Sequence, residues 1–380
     1  MPRRTPWLNF GLISASIAVS FLLIEASLRL FSPFELRLLG DEIRLPYFKR
    51  YEITIENPKR LEPVVIHTRN ALGFRGPERP ADFDRHLTIV AIGGSATECF
   101  VLGDGRDWPA VLGRGLAENL SPVWVNNAGL NGHTTYGHIQ LMRQHILRLR
   151  PDVALFLVGV NDTTFDDNTA RFDSRLTSAQ EDLFETVVRS VRMSIARHSH
   201  LGALLFNIYR QLKAAREGFI GNQMEADLAA VSPSTLTEAE IQAILADHKR
   251  ANYNGYAARL TELIELSRRS GIEPVFITQP TLFGPAVDDV SGVDIGRITG
   301  AQWRLIQAYN EELKRVGEAH DALVIDLATA MPKSTRYFYD FWHFTNEGAE
   351  HVAEIIYREL CPFLSAKFPE HVSKPCGRTS

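Results

Sequence analysis

The chain has 380 residues, 45% of them hydrophobic, 23% charged and 9% aromatic, with a formal net charge of -4. That composition belongs to an ordinary globular protein, and 26 Gly with 19 Pro exclude a collagen-like or broadly disordered chain. Without a long basic run there is no electrostatic footprint for a nucleic-acid partner. Three cysteines, none in a CxxC pair, exclude a disulfide-dense scaffold and a cysteine zinc site.

In chain order, the first feature is an apolar stretch from Trp7 to Ile24, preceded by Arg3 and Arg4. A bilayer-crossing helix needs roughly 20 apolar residues, and the stretch reaches that length if Glu25 and Arg29 lie near the far interface. An uncleaved anchor over 1–32 is the expectation. A cleaved signal peptide is the alternative, although Ile24-Glu25-Ala26 is a poor cleavage site, and a buried core helix is a third reading. With the two arginines inside, the rest of the chain lies outside the cytoplasm, membrane-anchored or secreted after cleavage. Cys361 and Cys376 are then free to pair, leaving Cys99 odd, which the sequence leaves open. Residues 33–84 read as a linker and N-terminal extension.

Five short runs then read as strands, at 87–93, 123–127, 153–159, 274–278 and 322–327. They are near-continuous in Val, Ile, Leu and Ala, as strands covered on both faces must be. Helical patterns lie between them, among them 108–120, 137–150 and 301–320. This alternation predicts an α/β fold, a three-layer α/β/α domain with a five-stranded parallel sheet over about 85–363. The interval of about 110 residues between the third and fourth strands exceeds one crossover, so a helical insertion is expected at about 163–270. Ser178 with Glu181, and Thr235 with Glu238, have capping-box form, and a helix over 251–270 should stop at Gly271. The spacing of Leu204, Leu205, Ile208, Tyr209 and Leu212 predicts a helix with an apolar stripe. Core packing is the plainer reading of that stripe, and contact with membrane or an acyl chain the sharper one. Residues 364–380 form a C-terminal tail.

The chemistry sits after the strands, where open α/β sheets place their ligand sites. The first strand ends in Gly93-Gly94-Ser95-Ala96-Thr97, a sharp turn that can present a serine hydroxyl beside free helix-end N–H groups. The second is followed by Asn127-Ala128-Gly129-Leu130-Asn131-Gly132, and the third by Asn161-Asp162. After the fifth comes Asp340-Phe341-Trp342-His343. A carboxylate three residues before a histidine can orient the imidazole, leaving its other nitrogen to take a proton from a serine. Phe341 and Trp342 pack this loop or line an acyl pocket. Each motif alone has a structural explanation as a turn, a cap or a surface pair. His198-x-His200 is the one close histidine pair and nothing completes a metal site, so no metal or cofactor is expected.

Four blocks in this order, the last followed by Asn346-Glu347-Gly348, resemble the SGNH (GDSL-type) hydrolase family and its flavodoxin-like fold. The resemblance implies a serine esterase with Ser95 as nucleophile, His343 as general base and Asp340 as the residue orienting it. It implies an oxyanion hole of the Ser95 and Gly132 N–H groups and the Asn161 amide. Gly132 is preferred to Gly129 because the family's glycine stands five residues after the asparagine, here Asn127. Gly94 replaces the family's usual aspartate, and Glu98-Cys99 replaces a later glycine. The Gly-Gly-Ser form, with Arg69-Asn70-Ala71-Leu72-Gly73-Phe74-Arg75-Gly76 upstream, is similar to a membrane-anchored bacterial branch. The implied substrate is a small acyl ester or an O-acylated glycan. Hydrolysis is the first reading; deacetylation or acetyl transfer on a cell-surface polysaccharide is the second, and a non-catalytic carbohydrate-binding or assembly protein on the same fold is the third. Cys99 reads as a small buried hydrophobe, since no separate base accompanies it. The insertion is expected to wall the cleft and set substrate preference.

Overall fold

The computed structural model describes residues 6–31, 37–39, 42–164, 194–195, 197–216 and 225–376. The chain divides into two compact units, one of Met1–Arg44 with Arg175–Phe219 and one of Leu45–Ser174 with Ile220–Ser380. The pair Ser178 and Glu181 lies outside the described residues.

The larger unit is built on five parallel strands: β1 (Leu87–Gly93), β2 (Val123–Asn127), β3 (Val153–Leu157), β4 (Glu273–Ile277) and β5 (Leu323–Ile325), in the order β2-β1-β3-β4-β5. Ile89 lies opposite both Val125 and Val153, which fixes the register at the centre of the sheet. Every residue of β1 and β3 is buried, as their unbroken apolar runs require. Alternation along each strand sorts the core into two layers. Ile89, Ala91, Leu155, Val275 and Ile325 share one cluster with Trp108 and Leu112 of the helix Trp108–Leu116 and with Val352 and Ile356 of the helix Asn346–Lys367. Phe156 and Phe276 point the other way, stacked at 5.1 Å. The helices Asn254–Arg269 and Ala301–Ala319 pack on each other and on β4 and β5.

The expected elements are present with shifted ends. β3 stops two residues early because Gly159 takes φ +120°. β5 is short because the Asp326 side chain caps the turn Leu327–Ala330. The helix expected at 251–270 is the end of a longer helical run that starts at Glu238 and passes through a π-turn at Lys249–Tyr253. It stops where expected: Gly271 takes φ +75° and the Ile272 N–H returns to the Ser267 carbonyl at 2.9 Å. The capping box is at Thr237 and Glu240, not Thr235 and Glu238. Both pairs have the required spacing, but only the Thr237 register sets apolar residues, Leu236 and Ile241, at the two positions of a hydrophobic staple.

Within the expected linker and N-terminal extension, Arg50–Thr54 and Val64–Thr68 form an antiparallel hairpin. Its Ile53 and Val65 join the core cluster, so this stretch belongs to the larger unit. Cys361 and Cys376 are joined by a disulfide, and Cys99 is free and buried.

In the smaller unit, the N-terminal helix Pro6–Leu30 contains a segment, Asn9–Leu30, long and apolar enough to cross a membrane. Near its end Glu25 accepts the N–H groups of His200 and Leu201, at 2.8 and 3.1 Å, and the Ser199 hydroxyl at 2.8 Å. Arg29 pairs with Glu25 and donates to the His198 carbonyl. The carboxylate thereby caps the helix His200–Arg216, where unpaired N–H groups favour negative charge. That helix buries Ala203 and Asn207, the latter donating to the Leu38 carbonyl. Leu205, Ile208 and Tyr209 are exposed, which corrects the expectation that this stripe packs in a core.

Candidate active site

β1 delivers its chain into a turn that leaves no room for side chains. A Cβ on Gly94 would stand 2.4 Å from the Asn161 amide nitrogen, so the position is held at glycine by the residue that follows β3. Ser95 opens the short turn Ser95–Glu98, and the Glu98 N–H closes back on the Gly94 carbonyl at 2.9 Å. Being first in the turn, the Ser95 N–H has no earlier carbonyl to reach.

The loop after β5 brings its histidine to that serine. Tyr339 N–H bonds the His343 carbonyl at 3.0 Å, and Phe338 bridges Phe344, so residues 339–343 form a closed loop. A Cβ on Gly348 would fall 1.9 Å from the Tyr337 carbonyl, which allows the following helix to approach this loop only with glycine there. Within the loop Asp340 Oδ1 accepts the N–H groups of Trp342 and His343, both at 2.8 Å, and Oδ2 lies 2.6 Å from His343 Nδ1. His343 Nε2 lies 2.7 Å from Ser95 Oγ. With Nδ1–H donating to the carboxylate, Nε2 carries the lone pair and accepts the Ser95 hydroxyl.

Burial opposes a charge on His343, but the charge and hydrogen bond of Asp340, with a further contribution from the Glu98 charge, outweigh it and hold the imidazole above its ordinary value of 6.5. Tyr339 stacks on the imidazole at 5.5 Å, and its own hydroxyl is pushed well above 10 by burial and by Asp340. Burial pushes the Cys99 thiol up to about 12, with Asp107 adding to the effect, so it is not a thiolate at neutral pH. Phe341 and Trp342 both lie against Phe283, at 4.3 and 5.2 Å.

The loops after β2 and β3 complete the constellation. Gly129, the glycine set aside, donates its N–H to Asn127 Oδ1 at 2.9 Å and is packed against the serine turn, where a Cβ would meet the Glu98 nitrogen at 2.3 Å. Gly132 takes φ +78°, a left-handed conformation suited to glycine. Asn161 donates to the His133 carbonyl at 2.8 Å and lies beside Gly94. Its neighbour Asp162 is buried, receiving the Thr135 hydroxyl at 2.6 Å and Arg259 at 3.0 Å. Of the five residues singled out from the sequence, Ser95, His343 and Asp340 form one hydrogen-bonded chain, Asn161 lies beside the Gly94 that precedes the serine, and Gly132 follows Asn131, whose N–H is bonded to the Glu98 carboxylate of the serine turn. Among the described residues no three His, Cys, Asp or Glu side chains form a metal cluster.

Sequence reasoning missed the supports behind the serine turn. Arg75, fully buried, donates to the carbonyls of Glu98 and Cys99 at 2.8 and 2.7 Å. Arg69 forms a buried ion pair with Glu98. Both arginines come from the Arg69–Gly76 stretch, whose pattern was the available signal, though its target was not.

Residues 91–351 match the model of the GDSL-like lipase/acylhydrolase family; the chain belongs to that family, and it is an ester-hydrolysing enzyme. Comparison with curated proteins returned no match. Among solved structures, similarity extends to LAE5, an alpha/beta hydrolase from the metagenome of Lake Arreo, Spain, at 16% identity over 74% of this chain and 94% of that one, with a TM-score of 0.39. An acetylxylan esterase from Geobacillus stearothermophilus is 14% identical over 72% and 93%, with a TM-score of 0.41. A GDSL-like lipase from Bacteroides thetaiotaomicron is 13% identical over 74% and 89%, with a TM-score of 0.38.

Proposed function

We propose that the enzyme is a serine esterase working through an acyl-Ser95 intermediate, with an acetyl-like acyl group as its short-chain substrate. The observation that carries this reading is the continuous chain from Ser95 Oγ through His343 to Asp340, at 2.7 and 2.6 Å. His343 Nε2 takes the hydroxyl proton as Oγ attacks the ester carbonyl carbon. The carbonyl pair moves onto oxygen, and the N–H groups of Ser95 and Gly132 with the Asn161 amide stabilise the oxyanion. Collapse expels the alcohol, which takes the proton from the imidazolium. Water then enters by the same steps in reverse, with His343 again as base, and releases the acid. The Asp340 carboxylate holds the tautomer and offsets the imidazolium charge.

The N-terminal helix is read as a retained anchor with the catalytic unit outside the cytoplasm. The Cys361–Cys376 disulfide supports an oxidising compartment. The capping of residues 199–201 by Glu25 supports retention, because it ties the end of the apolar helix into folded chain, as a discarded leader would not be. The substrate is then a small acyl ester or an O-acylated glycan at the cell surface.

The test is hydrolysis of p-nitrophenyl acetate by the full chain and by Ser95→Ala. Loss on the order of 10⁴-fold or more in the variant is expected from removing a nucleophile. Equal rates in two folded proteins would overturn the role of Ser95.

A further inference from the structure

Glu98 is the last residue of the turn that Ser95 opens, and its carboxylate leaves that turn to bond the next loop. Oε2 accepts the Asn131 N–H at 2.7 Å, and Asn131 immediately precedes Gly132. Oε1 pairs with Arg69, and both side chains are 2% exposed. Arg69 in turn reaches the Gly129 carbonyl at 3.4 Å, at the start of the same loop. The Glu98 backbone is held by Arg75 from behind and touches Gly129 in front.

We propose that Glu98 is a positioning residue, its carboxylate fixing the Gly132 N–H relative to the Ser95 N–H by tying Asn131 to the serine turn. This rests on the reading of Ser95 and Gly132 as oxyanion donors. Two donors on separate loops stabilise a transition state only if their separation is set before the reaction, since reorganisation during it would cost what the bonds gain. A hydrogen bond from a backbone N–H to a carboxylate is charge-assisted and about twice as strong as one to a neutral acceptor. A carboxylate this deeply buried needs a cation, which Arg69 supplies. Glutamate at position 98 has the length to reach from the serine turn across to the loop.

The experiment uses the full chain in detergent, with Glu98→Gln and the double variant R69M/E98M. The double variant removes the tether without leaving a buried charge alone. The readouts are kcat and KM for p-nitrophenyl acetate, the inhibition constant of phenylboronic acid, fluorophosphonate labelling of Ser95 and the melting temperature. The boronate takes the serine oxygen and places a hydroxyl where the oxyanion forms, so it reports on the hole itself. In R69M/E98M, kcat should fall about 100-fold, the cost of misplacing a reacting contact by about 1 Å. KM should stay within about threefold, and boronate affinity should fall in parallel with kcat. E98Q keeps an acceptor for Asn131 and should lose only about 3- to 10-fold in both.

A folded double variant with kcat within threefold of the parent overturns the proposal, as does a loss of kcat with unchanged boronate affinity. If the double variant does not fold, E98Q decides alone: parallel losses in kcat and boronate affinity support the proposal, and unchanged values overturn it. Parent enzyme that is active yet unlabelled at Ser95 removes the underlying reading, and with it this one. Labelled Ser95 with indifferent Glu98 variants removes only the positioning role.

Discussion

Replacing Asp340 by asparagine changes one atom, and the surroundings dictate which way the new side chain must face. Asp340 Oδ1 receives two backbone N–H groups, from Trp342 and His343, each at 2.8 Å. Only the amide oxygen can sit there, because an NH₂ group would meet two donors. The NH₂ is thereby directed at His343 Nδ1, where Oδ2 stood at 2.6 Å. A donor facing Nδ1 favours the tautomer protonated on Nε2, and that tautomer cannot accept the proton of Ser95. The fold should survive, since the carbonyl still serves both N–H groups, but kcat should drop by about 10⁴-fold. The pH dependence should move as well. His343 must be neutral to act as base, so the acid limb of kcat/KM in the parent enzyme lies above 6.5, where Asp340 holds the imidazole. Removing that charge and bond lowers the limb; the Glu98 charge remains. Steady-state hydrolysis of p-nitrophenyl acetate across pH measures both effects, with thermal unfolding as the control for folding. A folded D340N enzyme within tenfold of the parent rate, or with an unmoved acid limb, would refute the tautomer argument.

Three further outcomes follow from the same geometry. Asn161→Ala should cost on the order of 10²–10³ in kcat with KM little changed, and a loss confined to KM would remove Asn161 from the oxyanion hole. Gly94→Ala should also slow the enzyme without touching any triad atom, since its Cβ would stand 2.4 Å from the Asn161 amide nitrogen; hydrolysis at the parental rate would show that this close packing is not needed. Cys99, buried and with its thiol pushed up to about 12, should resist iodoacetamide in the native enzyme and react only on unfolding, by intact-mass analysis. Alkylation of the native protein with loss of activity would contradict that.

The sheet was legible because burial on both faces writes itself into sequence as unbroken apolar runs, and β1 and β2 match their runs end to end. Strand ends were less legible, since they depend on single conformations such as that of Gly159. The residues around Ser95 could be found because each follows a strand, where the topology of an open parallel sheet gathers loops. The supports could not. Arg69 reaches Glu98 from a segment that precedes β1, and nothing local to either residue announces a partner. The exposure of Leu205, Ile208 and Tyr209 was missed for a related reason: helical periodicity finds an apolar stripe but does not say what faces it.

The central claim is that the acyl group passes through the oxygen of Ser95. Acid quenching of the enzyme during p-nitrophenyl acetate turnover, followed by peptide mass spectrometry, tests it most directly. The account predicts one acetyl group on the peptide containing Ser95, accumulating further in Asn161→Ala if deacylation slows more than acylation, and absent in Ser95→Ala. Steady turnover with no acetyl on Ser95, or with the acetyl on another residue, would contradict it.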